Sequence, residues 1–154
     1  MGSSLSNPFT GLESCIAAST TFQTLVGAAN ATAAKDKIFY PHATSNDVRP
    51  YCVLDCEGLG PQRVVSFSER GSIVASFEIP ASTYSAVTGT KAKFVACLDD
   101  VESILDEAVT ASRQTSTRWG LTEFSIVQFP FLVEDQDGDP DEPYYATSVQ
   151  VSWV

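Results

Sequence analysis

The longest regular pattern of hydrophobic and polar positions in the chain has the period of a helix. In residues 91–113 apolar side chains recur every three or four positions, which places them on one stripe of a helix. The stripe comprises Phe94, Leu98, Val101, Leu105, Ala108 and Val109. Most acidic residues of this segment lie off the stripe, and neither Gly nor Pro interrupts it. We therefore predict an amphipathic helix over about residues 91–112 that packs on a sheet.

A second helix is predicted near the N-terminus. Asn7 followed by Pro8 is a favourable helix start, because Asn caps free amide groups and Pro fits the first turn. Apolar residues then recur at about helical spacing as far as Gly27, which is suited to end a helix. A run of hydroxyl residues at 19–21 weakens the middle. The pattern predicts one helix over about residues 8–27, with a break near residue 20, and a loose leader before it in residues 1–6.

The rest of the chain reads as strands separated by turns. The strand-like stretches are residues 37–40, 51–57, 63–67, 72–79, 121–133 and 144–154. Residues 68–71 are typical of a hairpin turn, and Pro130 marks an edge, a bulge or a break in its strand. The predicted fold class is α+β: about five mostly antiparallel strands in one sheet, with the two main helices packed on one face. A length of 154 residues fits a single domain, residues 1–154.

Composition and charge exclude several classes of protein. The chain carries a net charge of −10 with only nine Lys and Arg residues, so direct nucleic-acid binding is disfavoured. A hydrophobic content of 44% argues against wholesale disorder. No stretch approaches the roughly 18 consecutive apolar residues that a membrane-spanning helix requires. We therefore expect a folded protein that contacts no membrane.

Four cysteines are present, and the sequence favours reduced core thiols over a disulfide framework. Cys52 and Cys56 lie four apart on one face of a predicted strand, too far apart to bridge within it. Cys15 and Cys97 each lie beside a helical apolar stripe, where free Cys behaves as a small hydrophobic residue. A zinc site is disfavoured because only one histidine, His42, accompanies these cysteines.

The segment 134–143 is strongly acidic. Its aspartates at alternate positions are Asp135, Asp137, Asp139 and Asp141. An EF-hand calcium loop would need Gly at its sixth position and Glu at its twelfth, and this chain has Pro140 and Ala146 there. We interpret the segment as a solvated hairpin tip or an acidic surface for a basic partner, with a calcium site as the weaker alternative.

No combination of residues in the sequence indicates catalysis. His42 has Asp47 nearby, but the chain lacks the Gly-x-Ser-x-Gly motif of a nucleophile elbow. Gly58 and Gly60 lack the third glycine and the following helix of a dinucleotide-binding loop. We expect a protein that is not an enzyme and uses no cofactor.

Two lysines occupy an unfavourable position in the long helix. Lys91 and Lys93 fall in its predicted first turn, where the helix dipole favours anions, at a cost of about 0.3–1 kcal/mol. One explanation is that they face an acidic neighbour. In a ring of identical subunits, the acidic segment of the adjacent subunit would supply it.

Several short motifs occur in a recognisable order. They are FQTLVG at 22–27, KIFY at 37–40, RPYCVL at 49–54, the helical pattern of residues 94–109 and VQVSW at 149–153. In this order they resemble the tail terminator (tail completion) proteins of long-tailed bacteriophages, and the resemblance spans most of the chain. It implies a small sheet with helices to one side.

The resemblance also implies a function without a reaction. Such proteins form a ring, typically a hexamer, that caps the tail tube, stops tail polymerisation and joins the tail to the head connector. The expected partners are other copies of the chain, the tail tube protein and a head–tail connector or head-closure protein, with DNA only passing through the lumen. The expected location is the virion neck, after assembly in the host bacterial cytoplasm. The alternatives are a head-closure or head–tail joining neck protein, or a small cytosolic metal-binding domain.

The candidate interface residues come from features expected to be exposed. They belong to the tip of the predicted hairpin, the start of the long helix and the acidic segment, and they are Glu69, Arg70, Lys91, Lys93, Asp135, Asp137, Asp139, Asp141 and Glu142. The resemblance assigns none of them individually.

Overall fold

The computed structural model describes residues 7–44, 47–55, 71–114, 121–134 and 142–153. In these ranges the chain forms one mixed sheet of five strands with four α-helices, which confirms the α+β prediction. The helices are α1 (Asn7–Ala17), α2 (Thr20–Val26), α3 (Ala31–Ala34) and α4 (Thr90–Gln114). The strands are β1 (Ile38–Phe39), β2 (Tyr51–Asp55), β3 (Gly71–Pro80), β4 (Leu121–Val133) and β5 (Tyr144–Trp153). The leader 1–6 and the predicted strand 63–67 lie outside the described residues.

The strand order in the sheet is β1-β2-β3-β5-β4. The short β1 runs parallel to β2, and all other neighbouring pairs are antiparallel, as the sequence predicts. Among the strands that the structure describes, β1 and β4 are therefore the two edge strands. The placement of both main helices on one face of the sheet stays a prediction.

The N-terminal helical segment is divided in two, at the place the sequence indicates. Ser19 separates α1 from α2, because its hydroxyl accepts a hydrogen bond from the Phe22 amide at 3.1 Å and so caps the N-terminus of α2. A serine at this position offers the backbone a partner that a continuous helix would not use. Gly27 then ends α2 in the left-handed conformation, with φ of +72°.

The two long central strands alternate strictly between buried and half-buried residues. On β3 the buried residues are Ile73, Ala75, Phe77 and Ile79, and on β5 they are Tyr145, Thr147, Val149 and Val151. The apolar members of both sets join the buried residues of the helices in one hydrophobic cluster. The alternation predicted for both strands is confirmed at every position whose side chain is described.

The buried stripe of α4 is rotated from the predicted one. Val101, Leu105 and Ala108 are buried as expected, but Phe94 and Leu98 are only half-buried. The core instead takes Cys97 and Ile104 from the same helix. Both sets have helical spacing, so the periodicity alone does not choose between them. The packing of α4 against α1, α2 and β4 decides which set is buried.

A carboxylate on α4 holds the start of α2. Glu107 accepts hydrogen bonds from the Ser19 hydroxyl at 2.6 Å, the Thr21 amide at 3.0 Å and the Thr21 hydroxyl at 3.1 Å. Partial burial opposes ionisation of this group, but these hydrogen bonds outweigh burial and lower the pKa of Glu107. Because the donors belong to the N-cap residue of α2 and to its first turn, Glu107 links the start of α2 to α4.

Three of the four cysteines are described, and all three are buried free thiols. Burial raises the pKa of Cys15 and of Cys97 to about 11, so neither is ionised to any extent at neutral pH. The prediction of reduced core thiols is confirmed for Cys15, Cys52 and Cys97. Cys56 lies outside the described residues.

Candidate subunit interface

The edge strand β4 exposes a group of large apolar side chains. The exposed fractions are 58% for Val127, 57% for Phe129, 42% for Phe131 and 41% for Leu132. We call these four residues the β4 patch. Several exposed large apolar side chains within one short stretch of an edge strand are typical of a surface that another chain covers.

The local sequence explains why β4 is apolar yet exposed. Residues 124–133 contain no charged side chain, and apolar residues do not alternate with polar ones over 126–133. A strand of this kind buries both faces only where other elements cover both. β4 pairs with β5 and packs against α4, yet the four residues of the β4 patch remain 41–58% exposed, so the described elements cover only part of its apolar surface.

Three irregularities interrupt the pairing of β4 with β5. The register shifts between Leu121 and Glu123, between Ile126 and Gln128, and between Gln128 and Phe131, the last of which encloses the buried Pro130. The buried Thr147 hydroxyl on β5 donates to the Gln128 carbonyl at 2.7 Å and so supplies the partner for a bulged backbone group. The prediction that Pro130 marks an edge or a bulge is confirmed.

Arg49, in the loop before β2, contacts residues of β3 and β5. Arg49 Nε lies 2.8 Å from Glu78 Oε1, and the guanidinium carbon lies 3.6 Å from the centre of the Tyr144 ring. The Tyr51 hydroxyl donates to the same Glu78 oxygen at 3.1 Å. Because Glu78 compensates the charge of Arg49, this cluster is a structural anchor rather than a site for an anion.

A cleft of about 380 Å³ lies beside α2 and contains no catalytic pair. It is lined by Thr20, Thr21, Thr24, Leu25, Thr83 and Asp100. The Asp100 carboxylate already accepts a hydrogen bond from the Tyr84 hydroxyl at 2.7 Å. The Thr21 hydroxyl donates to the Glu107 carboxylate at 3.1 Å, but the hydrogen bonds that lower the pKa of Glu107 also make it a weak base, so the cleft gives no support for a reaction.

The sequence candidates at the start of α4 are at the surface. Lys91 is exposed and Lys93 is half-buried, both in the first turn of the helix. Within the described part of the chain, no acidic group forms an ion pair with either lysine. Their proposed acidic neighbour therefore stays a prediction.

Of the acidic segment, the structure describes the two ends. Glu142 is exposed and accepts a hydrogen bond from the Ser82 hydroxyl at 2.7 Å. The Pro143 carbonyl accepts one from the Ala81 amide at 2.9 Å. Residues 142–143, the C-terminal end of the segment, are thereby held against the turn that leads from β3 to α4. The remaining candidates, Glu69, Arg70, Asp135, Asp137, Asp139 and Asp141, lie outside the described residues.

The surroundings of His42 give no support for catalysis. His42 is exposed, and the nearby Asp47 carboxylate accepts hydrogen bonds from the Thr44 amide at 2.6 Å and hydroxyl at 3.1 Å. Among residues 7–44, 47–55, 71–114, 121–134 and 142–153, no three His, Cys, Asp or Glu side chains are grouped to hold a metal ion. In the same ranges no helix is long and apolar enough to cross a membrane.

The β4 patch was not among the residues that the sequence indicated as an interface. Its signal was present in the uncharged run 124–133, within a chain that carries 19 acidic residues. The contacts of Arg49 and Glu107 have no such signal, because each depends on residues distant in the chain. Comparison of the chain with protein-family models, curated proteins and solved structures gave no match.

Proposed function

We propose that this protein is a structural virion protein of a long-tailed phage neck. Copies of it form a ring, typically a hexamer, that caps the tail tube, stops tail polymerisation and joins the tail to the head connector. The observation that supports this proposal is the β4 patch, an apolar sheet edge that a single copy leaves exposed. The order of the sequence motifs, which resembles that of tail terminator proteins, is the reason for proposing a ring at the end of a phage tail.

The size of the β4 patch fits assembly on a template better than a permanent oligomer. Four large side chains, each about half exposed, present roughly 400 Å² of apolar surface. Covering it contributes about 10 kcal/mol at 25 cal/mol per Å². Association costs about 4–15 kcal/mol in lost motion. Covering the patch alone therefore gives a net free energy of association near zero. A tail tube that holds neighbouring copies in place would lower the cost of association and favour the ring.

The charge of the chain suits a channel for DNA. With a net charge of −10, the protein repels the phosphate backbone, so DNA passes through the lumen without sticking. The protein then binds no nucleic acid specifically. The partners are other copies, the tail tube protein and the connector or head-closure protein, all within the virion.

The nine residues indicated by the sequence remain proposed contacts of this ring. Lys91 and Lys93 are the most direct to test, because the described part of the chain offers them no ion-pair partner. Charge reversal at both lysines is expected to weaken assembly, most strongly at low salt. Assembly that remains intact at several salt concentrations contradicts their role at an interface.

Binding to tail tubes tests the proposed function. Purified protein is mixed with tail tubes, sedimented and imaged by electron microscopy, where capped tube ends are expected. Val127→Asp, which places a charge in the β4 patch, is expected to weaken binding at least tenfold. The matched control is Val95→Asp on α4, which makes the same change at a residue 45% exposed. Val127→Thr, which keeps the branched side chain, separates the loss of apolar surface from the loss of strand propensity.

The other outcomes of this experiment are also informative. Binding to the connector without binding to tubes would identify a head-closure or head–tail joining protein instead. Absence of binding to both contradicts the proposal. Thermal stabilisation by calcium that Asp135→Ala and Asp137→Ala abolish would favour the metal-binding alternative.

A further inference from the structure

The edge strand β4 is three residues longer than the strand with which it pairs. Paired residues run from Leu121 to Val133 on β4, which is 13 residues, against 10 residues on β5. The extra residues fall at the three register shifts, one at each shift. On its other side β5 makes ten consecutive pairs with β3, so the irregularity belongs to β4 and not to β5.

Each register shift is a β-bulge, in which one strand carries one residue more than its partner. The second shift leaves Val127 without a residue opposite it on β5. The third shift places Phe129 and Pro130 opposite the single residue Thr147. The longest unbroken run of pairs along β4 is therefore 123–126, which is only four residues.

The bulges explain where the β4 patch lies. Half-buried and exposed residues alternate over 124–126, as in a regular strand, but Val127, Gln128 and Phe129 are all exposed. The most exposed members of the patch are Val127 at 58% and Phe129 at 57%, and both lie at bulges. Because an extra residue re-aims the side chains beside it, the bulges turn apolar side chains away from the core.

An uncharged apolar edge strand is ordinarily a site of aggregation, because its free backbone groups can pair with those of another copy. Residues 124–133 carry no charge, and β4 is an edge of the described sheet. A bulge shifts the residues after it by one position, which moves their backbone groups out of phase with a regular strand. A strand added along β4 would therefore lose its register after the four residues 123–126.

We propose that the bulges of β4 block strand pairing between free copies, so that other proteins contact β4 through its side chains and do not extend its sheet. At a regular apolar edge, exposed side chains and pairing-competent backbone groups occur together. In β4 the same bulges expose the side chains and disrupt the backbone pattern. The block is a property of the single copy, so it does not depend on whether the partner is a tail tube.

Charge offers a competing explanation for free copies that stay apart. A net charge of −10 makes copies repel one another, and salt screens this repulsion without changing the path of the backbone. Concentrated wild-type protein is therefore compared at low and high salt by thioflavin T fluorescence and electron microscopy. No fibres are expected at either salt concentration. Fibres of wild-type protein at high salt would overturn the proposal, because repulsion and not the bulges would then keep the copies apart.

A deletion variant tests the bulges directly. Deleting Val127 and Phe129 removes one extra residue at each of two shifts, so that residues 123–133 would pair with β5 without a break. The matched control, Val127→Ala with Phe129→Ala, shortens the same side chains but keeps both bulges. Both variants carry Pro130→Val, because proline lacks the N–H that strand pairing uses. The deletion variant is expected to form fibres, with thioflavin T fluorescence roughly tenfold or more above the control.

Circular dichroism and thermal unfolding establish that each variant is folded. A folded deletion variant that forms no fibres would overturn the proposal, and so would equal fibre formation by the control. If the deletion variant does not fold, the salt series on wild-type protein still decides between the bulges and charge. These measurements use free protein without tail tubes, so a failure of the block is distinguishable from a failure of the proposed function.

Discussion

The central strands β3 and β5 and the edge strand β4 lie in the same sheet but have different residue patterns. Along β3, buried Ile73, Ala75, Phe77 and Ile79 alternate with half-buried residues, and the register with β5 is unbroken over ten residue pairs. Along β4, apolar residues are exposed, and the register with β5 shifts. The central pair satisfies its apolar surface within one copy, whereas β4 does not.

The difference separates two uses of hydrophobic residues. Alternation with period two allows one face of a strand to be buried by the chain's own helices. Loss of alternation at an edge leaves apolar area that the chain does not cover, which is the area available to a partner. Substitutions in the central strands are therefore expected to change folding, and substitutions in the β4 patch to change assembly.

The largest expected effect is on the central strand. Phe77→Ala removes a fully buried ring that contacts Phe22 edge-on at 6.4 Å between ring centres, and it should cost about 3–5 kcal/mol of unfolding free energy. Phe129→Ala in the β4 patch should change stability by less than about 1 kcal/mol but should weaken assembly on tubes. Urea denaturation of both variants measures the change in unfolding free energy. Equal loss of stability in the two would remove the distinction between the strands.

The second prediction concerns the rotated stripe of α4. Leu105 is 2% exposed, so Leu105→Ala should cost about 2–5 kcal/mol. Leu98 has the same helical spacing but is only half-buried, so Leu98→Ala should cost clearly less. Thermal and urea unfolding of the matched pair check the order. A loss at Leu98 as large as the loss at Leu105 would instead support the stripe predicted from the sequence, which contains both residues.

A smaller effect is expected where α4 holds the N-terminal helices. Glu107→Gln weakens hydrogen bonds from Ser19 and Thr21 and should cost about 1–3 kcal/mol near neutral pH. The matched control is Glu102→Gln, an exposed position on the same helix. A similar loss in both variants would contradict a specific role for Glu107.

The effect of Glu107 should also depend on pH. Because its pKa is lowered in the folded protein, the unfolded chain binds a proton first as pH falls. The stabilisation is complete above the unfolded pKa of about 4.3 and is lost as pH falls through the lower folded pKa. The difference in Tm between wild type and Glu107→Gln should therefore shrink below about pH 4. A difference that grows on acidification contradicts this sign.

The smallest predicted effect joins the two kinds of strand. Thr147→Val keeps the shape of a buried side chain on β5 but removes the hydrogen bond to the Gln128 carbonyl on β4. A loss of about 1 kcal/mol is expected. If the variant speeds amide exchange relative to wild type more in β4 than in β3, the bulge is loosened locally. An unchanged exchange rate at β4 would mean that Thr147 does not hold the bulge.

Much of the fold follows from local patterns in the sequence. The alternation of β3 and β5, the terminator Gly27 and the irregularity at Pro130 each depend on residues close together in the chain, so periodicity and backbone preference reveal them. The buried side of α4 depends on what packs against it, and two helical stripes of similar apolar content compete there. Packing selected Cys97 and Ile104, which periodicity did not.

The candidate interface was less accessible to sequence reasoning. Charge directed attention to Lys91, Lys93 and the acidic segment, because charged residues in unfavourable or repeated positions stand out. The β4 patch is conspicuous only once β4 is known to be an edge strand, and strand order is set by contacts between residues far apart in the chain. An apolar run predicts a strand equally well in the middle of a sheet.

Hydrogen exchange on assembled protein tests the central claim most directly. Amide exchange is followed by mass spectrometry for the free protein and for the protein bound to tail tubes. We predict that residues 124–133 gain protection on assembly, while residues 73–79, already buried within one copy, change little. Unchanged exchange in residues 124–133 of tube-bound protein would contradict the assignment of the β4 edge as the subunit interface.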